Sequence, residues 1–420
     1  MSDTIDRGAS RARLLRFLAV LGPGIVVMLA DTDVGSIVTA AQSGVAWGYR
    51  LLLLQFLLIP ILYVVQELTV RLGIFTGKGH GELIRITFGP AWAWLSAGGL
   101  AIATVGALLS EFSGVAGVGE LYGLPRPFTL ALAVAFLLVV ALTGSYRRVE
   151  RIAIALGLFE LVFFAIAFLA HPDPARIAAD MFRPALVDPA YVYLVAANIG
   201  AVIMPWMVFY QQSAVADKKL LPRDFSYARL DTWIGAVVTQ LVMAAVLVAA
   251  AATIGRHNPE ASLNSVGDIA NALTPYLGTT IGKLVFGVGV LGAGLIAAIV
   301  ASLAFAWGLG EVAGYRRSLE DHPLQARWFY GVYALCLVTG AVLVASVPNL
   351  VFLNIAVEVM NALLLPLVLG FLVALAIRAL PPQLRLRGWY LWLTLALTVL
   401  TAGLGVYGGI SGGLSGAGLF

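Results

Sequence analysis

Long apolar segments follow one another through almost the whole chain, and they constrain its fold more than any other feature. Eleven are long enough to cross the roughly 30 Å hydrocarbon layer of a bilayer: 14–46, 50–72, 91–118, 127–144, 152–170, 190–213, 232–254, 281–307, 328–347, 350–377 and 389–409. Hydrophobic residues make up 60% of the 420 residues and charged residues only 11%, against about 25% in a typical soluble domain. The sequence predicts an all-α membrane protein with eleven transmembrane helices.

The connections between these segments leave no room for a second globular domain. We expect a cytoplasmic N-terminal segment at 1–13, a single transmembrane domain at 14–409 and a Gly-rich tail at 410–420. Basic residues concentrate before the first span and in alternate loops, so the positive-inside rule predicts a cytoplasmic N-terminus and, with an odd number of spans, an outside C-terminus. The net charge of +4 follows from this asymmetry and does not indicate nucleic-acid binding.

A polar break interrupts the first apolar segment at 29–37. It contains two carboxylates, Asp31 and Asp33, together with Thr32, Gly35 and Ser36. A charged side chain at the bilayer centre costs about 2.5–3.5 kcal/mol on insertion scales, so two of them side by side need a function or a partner. We interpret this stretch as half of a cation site.

A second break is predicted in the sixth segment, at Pro205. Proline removes a backbone donor and clashes with the preceding turn, although a lone membrane proline often only kinks a helix. Breaks in the first and sixth spans, five helices apart, are what an inverted-repeat transporter requires, because the two broken helices meet at the midplane. The pairing of the two breaks favours a discontinuous sixth helix.

Several motifs resemble the natural resistance-associated macrophage protein (Nramp) family of divalent-metal transporters. They are Gly22-Pro-Gly-Ile, Asp33-Val-Gly-Ser-Ile, Gln42-Ser-Gly-Val-Ala-Trp-Gly-Tyr-Arg-Leu-Leu, Arg71-Leu-Gly-Ile-Phe-Thr-Gly-Lys-Gly, Gly200-Ala-Val-Ile-Met-Pro and Leu364-Leu-Pro-Leu. The resemblance implies a LeuT-type fold of two inverted five-helix repeats, at about 14–170 and 190–377, with a peripheral helix at 389–409. The chain then resembles a divergent bacterial member of the family.

The same resemblance implies a metal site. Asp33 matches the family's metal-binding carboxylate and Ser36 stands where an asparagine is usual, while Ala201 matches the residue that lends its carbonyl and Met204 matches the thioether ligand. Hard oxygen donors with one soft sulfur favour transition metals over calcium or magnesium. Two further residues are possible supports: Asp31 as an additional charge and Asn354 as a ligand from the tenth helix.

The chain also departs from the family at residues that resemble a proton route. Trp206 occupies the position of a histidine, Glu111 stands where an aspartate is usual, and Gly114 stands roughly where a glutamate is usual. All four histidines are predicted to lie in loops, so no imidazole, the group best suited to proton transfer near neutrality, is expected within the membrane: His80, His171, His257 and His322. Proton coupling in the family's usual form is therefore not expected.

Three acids remain as candidates for a proton or ion path. They are Glu111 in the third span, Glu160 in the fifth and Glu358 in the tenth; for Glu160 and Glu358 a hydrogen bond between helices is an equal alternative. The predicted function is transport of divalent metal ions, Mn²⁺ first, by alternating access. A magnesium transporter of the Nramp-related type and a symporter of another small solute stay open as alternatives.

Other functional classes are less consistent with the sequence. It has no nucleophile–base pairing or histidine cluster typical of an enzyme, and its single Cys336 excludes a disulfide within the chain. We expect no cofactor besides the metal that is transported, and no obligatory protein partner is evident. The expected location is the inner (plasma) membrane, with the lipid bilayer as the surrounding partner.

Overall fold

The computed structural model describes residues 17, 20–257, 269–270, 279–346 and 350–414. Within them the regular elements are helices, which confirms the all-α prediction. The α-helices are α1 (Pro23–Asp31), α2 (Val34–Trp47), α3 (Leu52–Thr76), α4 (His80–Phe88), α5 (Pro90–Leu121), α6 (Arg126–Leu142), α7 (Tyr146–Gly157), α8 (Val162–Leu169), α9 (Pro174–Asp180), α10 (Pro189–Val202), α11 (Pro205–Asp217), α12 (Phe225–Ala252), α13 (Ile254–His257), α14 (Thr279–Ala313), α15 (Arg327–Ser346), α16 (Leu350–Arg378) and α17 (Gly388–Leu414).

Many of these helices can cross a membrane. In the described part of the chain, nine segments are long and apolar enough to do so: Leu52–Thr76, Pro90–Leu121, Tyr146–Leu169, Pro189–Asp217, Pro222–Arg256, Gly282–Ala313, Arg327–Ser346, Asn354–Arg378 and Gly388–Ser411. Helices α1 and α2 together are also long and apolar enough to form one span, which is bent by 46°, and α6 is a shorter apolar helix. Within the described residues every predicted segment therefore overlaps one or more helices, while the number of eleven spans stays a prediction.

Proline and glycine set several helix ends. Pro189 and Pro205 begin α10 and α11, where the missing N–H is one that a first turn leaves unpaired in any case. Gly77 ends α3 in a left-handed conformation with φ of 64°, which other residues adopt only with strain. These residues explain why the chain turns where it does.

The sixth span lies at the centre of the molecule. In an apolar stretch of 18 residues within Pro189–Asp217, every residue is buried. In stretches of the same length within Arg327–Ser346 and Gly388–Ser411, only 33% of the residues are buried. Helix α11 packs against α3 and α14, and α10 packs against α16 and α17. The breaks of the first and sixth spans are thus enclosed by other helices, and α17 lies on the outside of the bundle.

The prediction that all four histidines lie in loops is wrong for His80. This residue begins α4 and is fully buried, with its Nδ1 2.9 Å from Gln212 Oε1 and its ring centroid 4.8 Å from that of Phe209. Burial lowers the pKa of His80 to about 4, so the ring is neutral near pH 7. The sequence does not reveal this burial because α4 packs on α14 and α11, two helices distant in the chain.

Two boundaries also differ from those expected. Helix α17 continues to Leu414, into the segment predicted as a tail, and His257 ends the one-turn helix α13. The N-terminal segment 1–13 and the last residues, 415–420, lie outside the described residues. The expectations for those two segments therefore stay predictions.

Candidate cation site at the two helix breaks

At the first break, two carboxylate side chains accept hydrogen bonds from backbone N–H groups in the first turn of α2. Thr32 and Asp33 separate α1 from α2, and Asp33 Oδ1 accepts a hydrogen bond from the Ser36 N–H at 2.7 Å. The Val34 N–H donates to Glu111 Oε2 at 3.1 Å. The first N–H groups of a helix have no partner within it, so these two carboxylates stabilise the break. Asp33 Oδ2 is buried and makes no hydrogen bond among the described residues.

The second break frees a backbone carbonyl. Helix α10 ends at Val202 and α11 begins at Pro205, so Ile203 and Met204 lie between them. The carbonyl of Ala201 would accept a hydrogen bond from the residue four positions on, but that residue is Pro205, which has no N–H. Met204 is extended and completely buried at the start of α11. The discontinuous sixth helix predicted from Pro205 is confirmed.

One hydrogen bond joins the two breaks. Ser36 Oγ donates to the carbonyl oxygen of Ala201 at 3.0 Å, although the two residues are 165 positions apart. Three of the four predicted ligands, Asp33, Ser36 and Ala201, are therefore in one place. Met204 follows Ala201 by three residues within the same break.

Helix α16 lies against both breaks at Glu358. A Cβ added to Gly35 would lie 2.0 Å from Glu358 Oε1, and one added to Gly200 would lie 1.8 Å from the Glu358 backbone oxygen. Asn361 Nδ2 donates to Glu358 Oε2 at 3.0 Å, while Oε1 makes no hydrogen bond within the described residues. The carboxylate of Glu358 thus points toward the first break, and both glycines are needed for this close approach.

Five carboxyl groups surround the breaks, and each belongs to a residue that is at most 1% exposed: Asp31, Asp33, Glu111, Glu160 and Glu358. The ion pairs among the described residues involve other acids, so none of these five has a basic partner there. Burying an ionised group without a partner is costly. An arrangement of this kind can hold a cation, because a positive charge from outside would offset the mutual repulsion.

Two predicted residues face other elements. Asp31 ends α1 and turns toward α12, where its Oδ2 is 3.5 Å from Thr239 Oγ1 and from Gln240 Nε2. Glu160 lies in a single turn of 3-10 helix, Leu158–Leu161, that interrupts the fifth span, and its two carboxylate oxygens make no hydrogen bond among the described residues. Neither residue is shown to contact Asp33, so their roles stay predictions.

Asn354 forms hydrogen bonds to the third span. Its Nδ2 donates to Ser113 Oγ at 2.9 Å, and its Oδ1 accepts a hydrogen bond from Ser110. Glu358, one turn further along α16, is the residue that reaches Gly35. The sequence offers one indication of this role, because Glu358 is the only acidic residue in the tenth apolar segment.

Gly114, one of the departures from the family pattern, lies against the first break. A Cβ added to Gly114 would lie 2.4 Å from Val34 Cγ2, so a larger residue does not fit beside Val34 without rearrangement. Trp206 is fully buried in the first turn of α11. The residues missed by the sequence reasoning are the polar partners on α12, above all Thr239, whose Oγ1 lies 2.6 Å from Thr32 Oγ1.

The model of natural resistance-associated macrophage protein-like (Nramp) sequences matches residues 24–411. The chain belongs to the Nramp family. This match covers both breaks and nearly all of the helices. It confirms the resemblance seen in the sequence motifs, and because the family consists of transporters it also confirms that the chain is not an enzyme.

Curated relatives of the chain carry the name divalent metal cation transporter MntH. The protein of Bradyrhizobium diazoefficiens is 29% identical over 301 residues, which are 69% of this chain and 67% of that protein. The protein of Erwinia tasmaniensis is 30% identical over 315 residues, covering 72% and 74% of the two chains. The similarity therefore extends over most of both proteins.

Solved structures similar to this chain establish the fold. The Eremococcus coleocola manganese transporter, in complex with an aromatic bis-isothiourea substituted compound, has a TM-score of 0.76 at 20% identity, covering 95% of this chain and 88% of that one. Mhp1, a nucleobase-cation-symport-1 family transporter, has a TM-score of 0.60 at 16% identity, covering 94% and 91%. Both are transporters of the LeuT type, which confirms the predicted fold class.

Proposed function

We propose that this Nramp-family chain transports divalent metal ions, with Mn²⁺ favoured, by alternating access around the two helix breaks. The observation that carries the proposal is the bond from Ser36 Oγ to the freed carbonyl of Ala201, directly beside Asp33 and within the cluster of buried acids. Relatives named as divalent metal cation transporters support the same function.

The proposed ligands are Asp33, Ser36, Ala201 and Met204. Asp33 would supply its unbonded Oδ2, Ser36 its hydroxyl, and Ala201 the second lone pair of its carbonyl. Met204 would supply a thioether sulfur, a soft ligand that Mn²⁺ accepts more readily than Mg²⁺, which keeps its waters. The presence of Met204 is the reason for ranking Mn²⁺ above Mg²⁺.

Transport is proposed to proceed without the family's usual proton route. Trp206 stands at the histidine position and has no group that takes up a proton near neutrality. Glu111, Glu160 and Glu358 are the acids that could form an ion path instead, since all three are buried around the breaks. Asp31, turned toward α12, would add negative charge at a distance, and Asn354 would position α16 rather than bind the ion.

The proposed location is the inner membrane, with the N-terminus in the cytoplasm and the C-terminus outside. The basis is the asymmetric distribution of Arg and Lys among the loops, because basic residues are retained on the cytoplasmic side. The protein would cross the bilayer several times and meet the metal ion as its substrate.

Metal uptake into proteoliposomes tests this function. Purified protein would be reconstituted, and entry of Mn²⁺ and Mg²⁺ would be followed with ion-sensitive dyes while another dye reports internal pH. We expect Mn²⁺ entry without acidification. Entry of Mg²⁺ in preference to Mn²⁺ would move the chain to the magnesium alternative, and no flux of either ion would overturn the proposal in favour of a different solute.

Substitution of Met204 separates the two metals further. Met204→Ala removes the soft ligand and leaves the oxygen donors in place, so we expect a larger loss of Mn²⁺ and Cd²⁺ uptake than of Mg²⁺ uptake. Met207→Ala is the matched control, because Met207 is equally buried but lies one turn beyond the break in α11. Equal losses for all three ions in Met204→Ala would show that its sulfur is not a ligand.

A further inference from the structure

A cleft rich in arginine lies at one end of helices α3 and α17. It has a volume of about 630 Å³ and is lined by Arg71, Gln383, Arg385, Leu386, Arg387 and Tyr390, together with Gly388. Arg71 comes from the last turns of α3, and the others come from the connection between α16 and α17 and the start of α17. Segments distant in the sequence thus combine their positive charges in one cleft.

The charges in this cleft are only partly neutralised. Arg71 Nη2 is 2.6 Å from Glu67 Oε1, but in the described part of the chain no carboxylate lies within ion-pair distance of Arg385 or Arg387. Glu358 is the last acidic residue of the sequence, so the whole connection from α16 to α17 carries no negative charge. The cleft therefore favours an anion.

The connection is ordered by its own hydrogen bonds. The Leu386 N–H donates to the carbonyl of Ala376 at 3.3 Å, and Arg385 Nε donates to the carbonyl of Leu380 at 2.9 Å. Arg71 Cζ lies 5.7 Å from the ring centroid of Tyr390, whose hydroxyl donates to Glu67 Oε2 at 3.2 Å. These contacts fix the backbone and Arg71, while the terminal nitrogens of Arg385 remain available to a ligand.

The surroundings indicate that the cleft lies at a membrane surface. Trp389 and Trp392, next to the cleft on α17, are 75% and 71% exposed. Exposed indole rings are typical of the level of the lipid headgroups. An anion that binds between basic side chains at this depth is most readily a lipid phosphate, and guanidinium groups bind phosphate oxygens with paired hydrogen bonds.

A separate, small apolar crevice lies further along the same helices. It begins at Leu68, one turn before Arg71 on α3, and at Thr394, one turn after Tyr390 on α17, and it includes Leu372 of α16. It extends along α3 to Ile61, ten residues from Arg71, or about 15 Å at 1.5 Å per residue. That distance is about half the hydrocarbon thickness. The crevice holds only about 10 Å³ of free volume, so an acyl chain would lie along its mouth.

We propose that the Arg71–Arg385–Arg387 cleft binds the phosphate of an anionic phospholipid, whose acyl chain lies along the crevice between α3, α16 and α17. The bound lipid would connect the peripheral helix α17 to α3 of the transporter core. The proposal concerns lipid binding alone and does not depend on the proposed metal transport.

The test measures thermal unfolding of the full chain in a neutral detergent. Phosphatidylglycerol, phosphatidylcholine and inorganic phosphate are each titrated, and the rise in Tm gives an apparent half-saturating concentration. We expect a saturable rise with phosphatidylglycerol only. An equal rise with phosphatidylcholine would overturn the role of charge, and an equal rise with inorganic phosphate would show a site for free anions instead of lipid.

Two pairs of substitutions test whether the effect is local. Basic residues near a membrane surface each contribute about 1 kcal/mol to the attraction of anionic lipid, so R385Q/R387Q should raise the half-saturating concentration about thirtyfold. R147Q/R148Q also removes two positive charges, here from exposed residues of α7, and should leave the half-saturating concentration unchanged. Equal effects of both pairs would overturn the proposal by showing a general attraction to a basic surface.

A conservative pair and a second readout cover the case in which the glutamine variant fails to fold. R385K/R387K keeps both charges, and it should retain most of the stabilisation because lysine also binds phosphate. Native mass spectrometry of wild type, R385K/R387K and R147Q/R148Q then counts the phosphatidylglycerol that stays bound. Loss of the lipid from R385K/R387K and R147Q/R148Q alike would also contradict a site at this cleft.

Discussion

Two groups of buried carboxylates in this molecule have opposite surroundings. Near the helix ends three buried acids have a basic partner: Glu67 with Arg71 at 2.6 Å, Glu150 with Lys218 at 2.8 Å and Glu311 with Arg317 at 3.7 Å. At the two breaks, none of the five acids forms an ion pair among the described residues.

This difference separates charges that hold the fold from charges available to a ligand. Removing one member of a buried ion pair leaves the other uncompensated and destabilises the protein, whereas removing a charge that has no partner can be neutral or stabilising. Substitutions of acids at the helix ends should therefore lower the free energy of unfolding, whereas those at the breaks should leave it unchanged or raise it. The acids at the helix ends should affect unfolding, and those at the breaks should affect transport.

The largest effect is expected from Asp33→Asn. Asparagine keeps the size of the side chain and its oxygen can still accept the hydrogen bond from the Ser36 N–H, seen at 2.7 Å for Asp33 Oδ1, but the negative charge for the metal is lost. We expect Mn²⁺ uptake to be abolished while Tm stays equal or rises. Thermal unfolding and uptake of the same preparation check both parts, and a folded variant with normal uptake would contradict the assignment of Asp33.

Gly35→Ala should have the next largest effect. Its Cβ would lie 2.0 Å from Glu358 Oε1, and overpacking of this kind costs about 1–3 kcal/mol. We expect a lower Tm and slower uptake, and partial recovery of both when Glu358→Asp shortens the opposing side chain. Gly98→Ala in α5, where a Cβ has open space, is the matched control. If the effects of Gly35→Ala and Glu358→Asp on Tm were simply additive, a contact between these two residues would be ruled out.

A smaller effect, on stability alone, is expected from Glu311→Gln. Glu311 accepts hydrogen bonds from the Gly81 N–H at 2.8 Å and the Ser213 hydroxyl at 2.6 Å and lies near Arg317. Hydrogen bonds to a charged group contribute about 1.5–3 kcal/mol, so we expect a loss of about 2 kcal/mol in the free energy of unfolding.

The control for Glu311→Gln is the exposed pair of Glu120 with Arg126 at 2.7 Å. Surface ion pairs contribute only about 0–1 kcal/mol, so Glu120→Gln should change Tm little. Chemical denaturation of both variants gives the comparison. If Glu311→Gln stopped uptake without changing stability, the division between the two regions would be wrong.

The sequence predicts the two breaks because their signals are local. Two aspartates separated by one residue, and a proline, inside apolar segments interrupt a helix whatever surrounds them. The resemblance to a family then places Asp33, Ser36, Ala201 and Met204 together, and the bond from Ser36 to Ala201 shows that three of these four residues meet. The fold class and both discontinuous helices are thus readable from the chain itself.

The residues that the sequence does not place depend on contacts between distant helices. The apolar residues of the tenth segment occupy every side of the helix, so their pattern does not tell which face is directed inward, and the turn that meets the breaks is at Glu358 instead of Asn354. His80 is a similar case, since its burial follows from the packing of α4 on α14 and α11. Neither packing leaves a periodic signal in the sequence.

We infer that the acids at the breaks receive their positive charge from a bound metal. Calorimetric titration of Mn²⁺ into purified wild type and Asp33→Asn, with Glu120→Gln as the control, tests it directly. We expect Mn²⁺ to bind to wild type and to Glu120→Gln, and not to folded Asp33→Asn. Binding of Mn²⁺ to Asp33→Asn with the wild-type affinity would contradict it.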